Sequence, residues 1–225
     1  MANWSYINGL GQPGNGSTQT SLSATLTWSA TAGDLLVVSL LQHSGSTSGV
    51  GISDSGSNTW TYQNSQSHTN QCTTWTTTVT SGGELTITAT AGTAAYLSLI
   101  IDEFRSAAGV GSVVSVVGAG GDSGTASPGT IVPTGTVLMY AVVGSYATES
   151  AVTPSSPFSN SAQILTNNSN PTGSGIYAVD QTTSQTPTMA IAIANWASVG
   201  FGVTASSGSA FQLYYLGDQT QEMYG

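Results

Sequence analysis

Few residues in this chain have the type and spacing that acid–base, nucleophilic or metal chemistry requires. His43 and His68 are the two imidazoles. A serine–histidine–acid relay needs a base, an orienting carboxylate and a serine exposed on a sharp turn, and no Gly-x-Ser-x-Gly elbow is present to supply the last. Both histidines lie among Ser, Thr, Asn and Gln, which reads as solvated strand-end or loop positions. Without a carboxylate cluster beside them they make a poor transition-metal site. Asp102 and Glu103 are adjacent on a strand-like run, so their side chains point to opposite faces. They cannot be the two carboxyls that glycoside hydrolysis holds about 5–10 Å apart across one bond. Glu103 and Arg105 share a face at i and i+2, and a structural salt bridge between them is expected, because an unpaired charge near a core is costly.

Three weaker candidates complete the set. The loop Asp54-Ser-Gly-Ser-Asn58 places oxygens at alternating positions, as calcium uses them. It lacks the further carboxylates of a tight site, and the same residues make a good turn. Trp60 and Tyr62, just beyond it, are the candidate glycan contacts: an aromatic face stacks on a sugar ring, although indoles at strand ends also plug cores. Cys72 is the single cysteine, which excludes an internal disulfide framework and a cysteine-based zinc cluster; it reads as a small buried strand residue. No catalytic, metal or cofactor-binding residue is assigned, and the chain reads as a non-enzyme without cofactors.

Composition narrows the partners. The 225 residues include one Lys or Arg against ten Asp and Glu, a formal charge of −9, with only 5% charged residues where about 25% is usual. A chain with one cation cannot neutralise several phosphates, so electrostatic binding of nucleic acid is excluded, as is a basic patch for anionic lipid. Disorder is not implied, because 39% of the residues are apolar and Val, Ile and Thr are abundant, the side chains that suit a pleated, half-buried surface. Ser and Thr make up about 30% of the chain, well above ordinary usage. The surface is therefore wetted by hydroxyls and amides, which favours lateral association. The N-terminus shows neither the charged nor the apolar region of a signal peptide, and the longest apolar run, residues 96–101, is too short to span a bilayer.

Stepping along the chain, strand-like runs alternate with Gly, Pro, Asn and Ser clusters at the spacing of a sandwich. Residues 20–28 place Leu22, Leu26 and Trp28 on one face; residues 34–41 form an apolar run expected to be covered on both sides. Residues 73–80 put Trp75, Thr77 and Val79 together, and Leu85, Ile87 and Ala89 follow suit. Further strands are expected at 95–104, 112–117, 136–143, 174–179, 188–196 and 199–205. No window shows a capped 3.6-residue period, so the chain is expected to be all-β. Three stretches echo one another: 31–38 with 133–140, 52–61 with 152–160, and 96–104 with 188–196. Two similar halves facing each other suit a jelly-roll β-sandwich of two antiparallel sheets.

The segments Ala-Gly-Asp-Leu-Leu-Val-Val (32–38), Ser-Asp-Ser-Gly-Ser-Asn-Thr-Trp-Thr (53–61) and Tyr-Leu-Ser-Leu-Ile-Ile-Asp-Glu-Phe (96–104), with Gly-Thr-Val-Leu-Met-Tyr-Ala-Val-Val and Met-Ala-Ile-Ala-Ile-Ala-Asn-Trp-Ala in the second half, resemble a jelly-roll family common in phage structural proteins and environmental bacterial surface proteins. The likeness covers residues 18–205 and departs from the family after Phe104, where Arg105-Ser106 displaces the usual tight glycine turn to Gly109. It implies a virion structural protein, made in the host cytoplasm and most simply a capsid decoration or cement protein. The implied partners are a major capsid protein or tail proteins and further copies of itself, not nucleic acid or membrane. The alternative is a carbohydrate-binding adhesin or a tail or fibre receptor-binding protein, with a glycan as its ligand. Residues 1–17 read as an N-terminal arm and 206–225 as a C-terminal strand or tail, both outside the sandwich domain 18–205. Their apolar residues Trp4, Tyr6, Ile7, Phe211, Leu213 and Tyr215 are the expected assembly contacts.

Overall fold

The computed structural model describes residues 3–147, 151–166 and 169–207, and these are all-β, with no helix among them. The first half supplies β1 (Trp4–Pro13), β2 (Gln19–Thr25), β3 (Leu35–His43), β4 (Gly51–Asp54), β5 (Thr61–Ser67), β6 (Asn70–Thr78) and β7 (Thr86–Ser106). These form one antiparallel sheet in the order β1-β7-β3-β6-β5, with β2 and β4 also paired to β7. The second half supplies β8 (Val110–Ala126), β9 (Val137–Ser145), β10 (Thr153–Pro154), β11 (Ser159–Ile164), β12 (Thr172–Gln181) and β13 (Met189–Ala205). Its sheet runs β10-β13-β9-β12-β11, with β8 also on β13. The result is a β-sandwich of two antiparallel sheets in which each sheet comes from one half of the chain.

The two sheets repeat one plan. A long strand (β7, β13) pairs with a central strand (β3, β9), followed by β6 or β12 and an outer strand, β5 or β11. β1 and β2 follow one another along β7 as the unbroken β8 follows β13. Packing between the sheets is reciprocal: β1 lies against β11, and β8 lies against β5, as in an isologous pair. The echo between 52–61 and 152–160 places β4 and β10 correspondingly. The other two echoes need correction. Leu35 faces the partner sheet whereas Val137 faces away from it, and Leu138 faces in; an even offset of 102 therefore puts the wrong faces in register, since one residue of slip inverts a strand. Tyr96 pairs with His43 on the first central strand and Trp196 with Ser145 on the second, so 96–104 corresponds to the stretch beginning near Trp196, not to 188–196.

Three apolar clusters follow from the alternation. Between the sheets lie Leu35, Val37, Leu41, Ile100 and Phe104 of the first half with Leu138, Tyr140, Val142, Val199 and Phe201 of the second. The opposite side chains of β3, Leu36, Val38 and Leu40, pack with Trp75, Val79, Leu85, Ile87 and Ala89 on the outer face, where β2, β4 and the first part of β7 supply the cover. The second sheet has an equivalent outer cluster around Met139, Ala141, Val152, Phe158 and Met189. This explains why residues 34–41 are apolar at almost every position, and why the runs at 85–89 and 95–104 form a single strand, as do 188–196 and 199–205. Each long strand serves a sheet with one part and its outer cover with the other.

The N-terminal segment is a second correction. Residues 4–13 are not an arm outside the domain but a full strand of the first sheet, paired with β7 from Trp4↔Ser106 to Pro13↔Ser98. Of the segment's expected assembly contacts, Trp4 enters the core and Tyr6 packs against it.

Candidate functional site

The ionisable groups decide what chemistry the fold permits. Arg105 does not pair with Glu103. Its Nε and Nη2 form a fork on the Asp34 carboxylate, at 2.9 and 2.7 Å, and Asp34 is buried while the Arg105 side chain is half exposed. Leu35↔Phe104 pairing brings the turn before β3 beside the end of β7, a neighbour that the i, i+2 spacing could not show. Glu103 instead accepts from the Trp28 indole and from the Thr31 backbone N–H, and burial raises its pKa.

Asp102 and Glu103 do point to opposite faces. Asp102 lies fully buried between the sheets, accepting from Tyr140 Oη at 2.8 Å, Ser161 Oγ at 2.9 Å, the Ala162 N–H at 3.0 Å and, at 3.5 Å, Tyr6 Oη. Three of these four donors belong to the second half. Glycines make the room: a Cβ at Gly9 would lie 2.5 Å from Asp102 Oδ1, and one at Gly175 would lie 2.6 Å from Oδ2. Burial pushes the Asp102 carboxyl up to about 6, the hydrogen bonds opposing it. In the sequence Asp102 stands out only as a carboxyl that cannot partner Glu103, because its donors lie 38 to 96 positions away in the chain.

The remaining candidates resolve into structural roles. Asp54 Oδ1 accepts from the backbone N–H groups of Gly56 and Asn58, and Oδ2 from Trp60 Nε1 at 2.6 Å. The loop is thus a carboxylate-capped turn whose oxygens are already engaged. His43 stacks on Tyr146 with ring centroids 3.6 Å apart and hydrogen-bonds Asn70, while His68 faces Asp122 at 3.5 Å on the surface. Among the described residues no cluster of three or more His, Cys, Asp or Glu could hold a metal. Cys72 is fully buried between the sheets, its thiol pushed up to about 12 by burial.

The aromatic candidates divide. Trp4 is 4% exposed and belongs to the core between the sheets, so it is unavailable as an assembly contact. Tyr6 is half buried and stacks on Tyr177 at 4.9 Å. Ile7, at an irregularity in the β1–β7 pairing, stays exposed. Phe211, Leu213 and Tyr215 lie outside the described residues. Trp60 packs against the outer cluster with its N–H engaged, which leaves Tyr62, 53% exposed and edge-on to Trp75, as the accessible member of that pair.

One feature escaped the sequence altogether. An open groove of about 550 Å³ runs between β5 and β6 of the first half and β8 of the second, lined by Thr61, Gln63, Thr76, Thr78, Val113 and Val203 among others. It has a counterpart across the sandwich. Leu35 and Leu138 are the first inward residues of their central strands; Tyr6 and Phe104 stand beside the one as Val113 and Val203 stand beside the other. By the same count Tyr177 corresponds to Thr76. Where the first position is filled by Tyr6, Phe104 and Tyr177 in mutual contact, its counterpart has valines and a threonine, and the space is open. The alternation of 73–80 signals only that Thr76 and Thr78 share a face; that they meet β8 is decided by the pairing of the halves.

With this geometry in hand, comparison with known proteins adds no relative: no family model, no curated protein and no solved structure matches the chain.

Proposed function

We propose that this chain is a non-enzymatic structural protein of a phage particle, a capsid decoration or cement protein that works through contacts between subunits. The observation that carries this reading is the employment of its acids. Among the described residues, Asp34, Asp54, Asp102 and Glu103 each hold the fold through the bonds described above, Asp180 accepts from the Trp4 N–H, Asp122 meets His68, and Glu84 is exposed in the bend between β6 and β7. Among the described residues no pair of acids and no acid–imidazole couple faces the groove, so the groove itself offers no general acid–base pair. The exterior is instead built for adhesion. β5 and β11 end their sheets with Ser, Asn, Gln and Tyr in place of charges, and such edges offer backbone N–H and C=O groups to a neighbouring chain. The resemblance of its strand and turn segments to phage structural proteins supplies the particle. A net charge of −9 discourages contact with the packaged genome and favours an outward position.

The test is to locate the protein on purified particles of a phage carrying its gene, by immunogold labelling, and to delete the gene. Labelling over the shell, with mutant particles that assemble but release DNA at a lower temperature, is the expected result. Label confined to the tail, with loss of adsorption, transfers the reading to a receptor-binding role. Particles without the protein overturn it.

A further inference from the structure

We propose that the groove between β5, β6 and β8 is a binding site for a neutral glycan, accepting a pyranose ring across the seam of the two halves. This goes beyond a structural role in a particle and stands on different observations. The first is shape. In the counterpart position the same frame of strands holds the parallel rings of Tyr6 and Tyr177, 4.9 Å between centroids and 17° between planes, with Phe104 against both. Exchanging these for Val113, Thr76 and Val203 leaves room for flat rings of that width, and the volume of about 550 Å³ lies within the range of small-molecule sites.

The second observation is chemistry. A pyranose presents an apolar C–H face and an edge of hydroxyls. Leu35, Val203 and Thr76 form the buried floor of the groove, the half-buried Val113 and Gln63 and the exposed Thr61 form its walls, and among the described residues no ionisable side chain lines it. Gln63 Nε2 donates to Thr76 Oγ1 at 2.7 Å, which orients the threonine hydroxyl with its own proton left to donate; a neutral alcohol is the partner such a hydroxyl can both give to and take from. An anionic sugar would gain nothing here, since Arg105, the single Lys or Arg, is engaged with Asp34. The site is also distinct from the aromatic pair that the sequence suggested. Tyr62 packs on Trp75 toward the outer cluster, on the other face of β5 from Thr61 and Gln63.

The experiment titrates the full-length protein, by protein-observed NMR and calorimetry, with maltohexaose, xylohexaose, mannohexaose and chitohexaose, and with oligogalacturonate as the anionic control. Three variants are compared. Val113→Tyr fills the groove as Tyr6 fills its counterpart, Gln63→Ala removes the amide without adding bulk, and Tyr62→Ala alters the opposite face. Saturable binding of at least one neutral oligosaccharide is expected, weakened by roughly tenfold or more in both groove variants and unchanged in Tyr62→Ala, with shifts confined to β5, β6 and β8. If Val113→Tyr does not fold, Gln63→Ala decides the matter alone. The proposal is overturned if none of the four neutral probes binds, if binding survives the groove variants, if Tyr62→Ala abolishes it, or if oligogalacturonate binds as well.

Discussion

Tyr140, on the central strand of one sheet, donates a 2.8 Å hydrogen bond to Asp102 on the long strand of the other, and the two residues join the halves at the middle of the sandwich. A carboxylate there is held by four donors but is fully buried between the sheets. Which of the two influences dominates fixes how the protein responds to pH.

Burial dominates. The Asp102 carboxyl rises from 3.8 to about 6, so the folded chain retains a proton that the unfolded chain has released. The associated stability is fully present below the unfolded value and is lost as pH rises through about 6, a difference of about 3 kcal/mol overall. Glu103, raised in the same direction, adds to the trend. Thermal denaturation at pH 5 and pH 7.5 should show the wild type less stable at the higher pH, and Asp102→Asn should reduce that loss by about 1 kcal/mol. An identical pH response in the two proteins would contradict the assignment.

Arg105 and Asp34 should behave as one unit. Removing the arginine leaves a buried carboxylate without its cation, which costs more than the half-exposed ion pair itself contributes. Arg105→Met is expected to lower the Tm and Asp34→Asn combined with it to restore part of the loss, whereas Glu103→Gln, which removes a neighbouring charge felt by both groups, should change the Arg105 effect less than Asp34→Asn does. A double-mutant cycle read by chemical denaturation separates the pairs.

Trp4 distinguishes a strand from an arm. As a core residue, Trp4→Ala should cost about 3–5 kcal/mol, and deletion of residues 1–17 should prevent folding by exposing the flank of β7 from Ser98 to Ser106. Ile7→Ser, at an exposed position, should leave the melting curve unchanged. A deletion that melts like the full chain would return these residues to the role of a free arm.

Asp54 should act as a cap and not as a calcium ligand. Asp54→Ala is expected to destabilise the fold by about 1–3 kcal/mol, the cost of leaving part-buried donors unpaired, whereas adding a chelator or calcium to the wild type should leave its Tm in place. A chelator-dependent fall in Tm would show that the turn holds a cation.

The sequence alone determined the class of fold, because strand alternation is local. Trp75, Thr77 and Val79, or Leu85, Ile87 and Ala89, share a face by period 2 wherever the strand is placed, and the doubly buried run at 34–41 announces cover on both sides. The paucity of charge is local information too, and it limits the partners before any strand is paired. What only the tertiary structure decided is which faces meet. Arg105 chose Asp34 over its neighbour Glu103, Asp102 found its donors in the other half, Trp4 entered the core, and the threonines of β6 came to face β8 across a groove. Each of these joins positions far apart in the chain, and such contacts depend on strand order and register, where a shift of one residue turns every side chain to the opposite face.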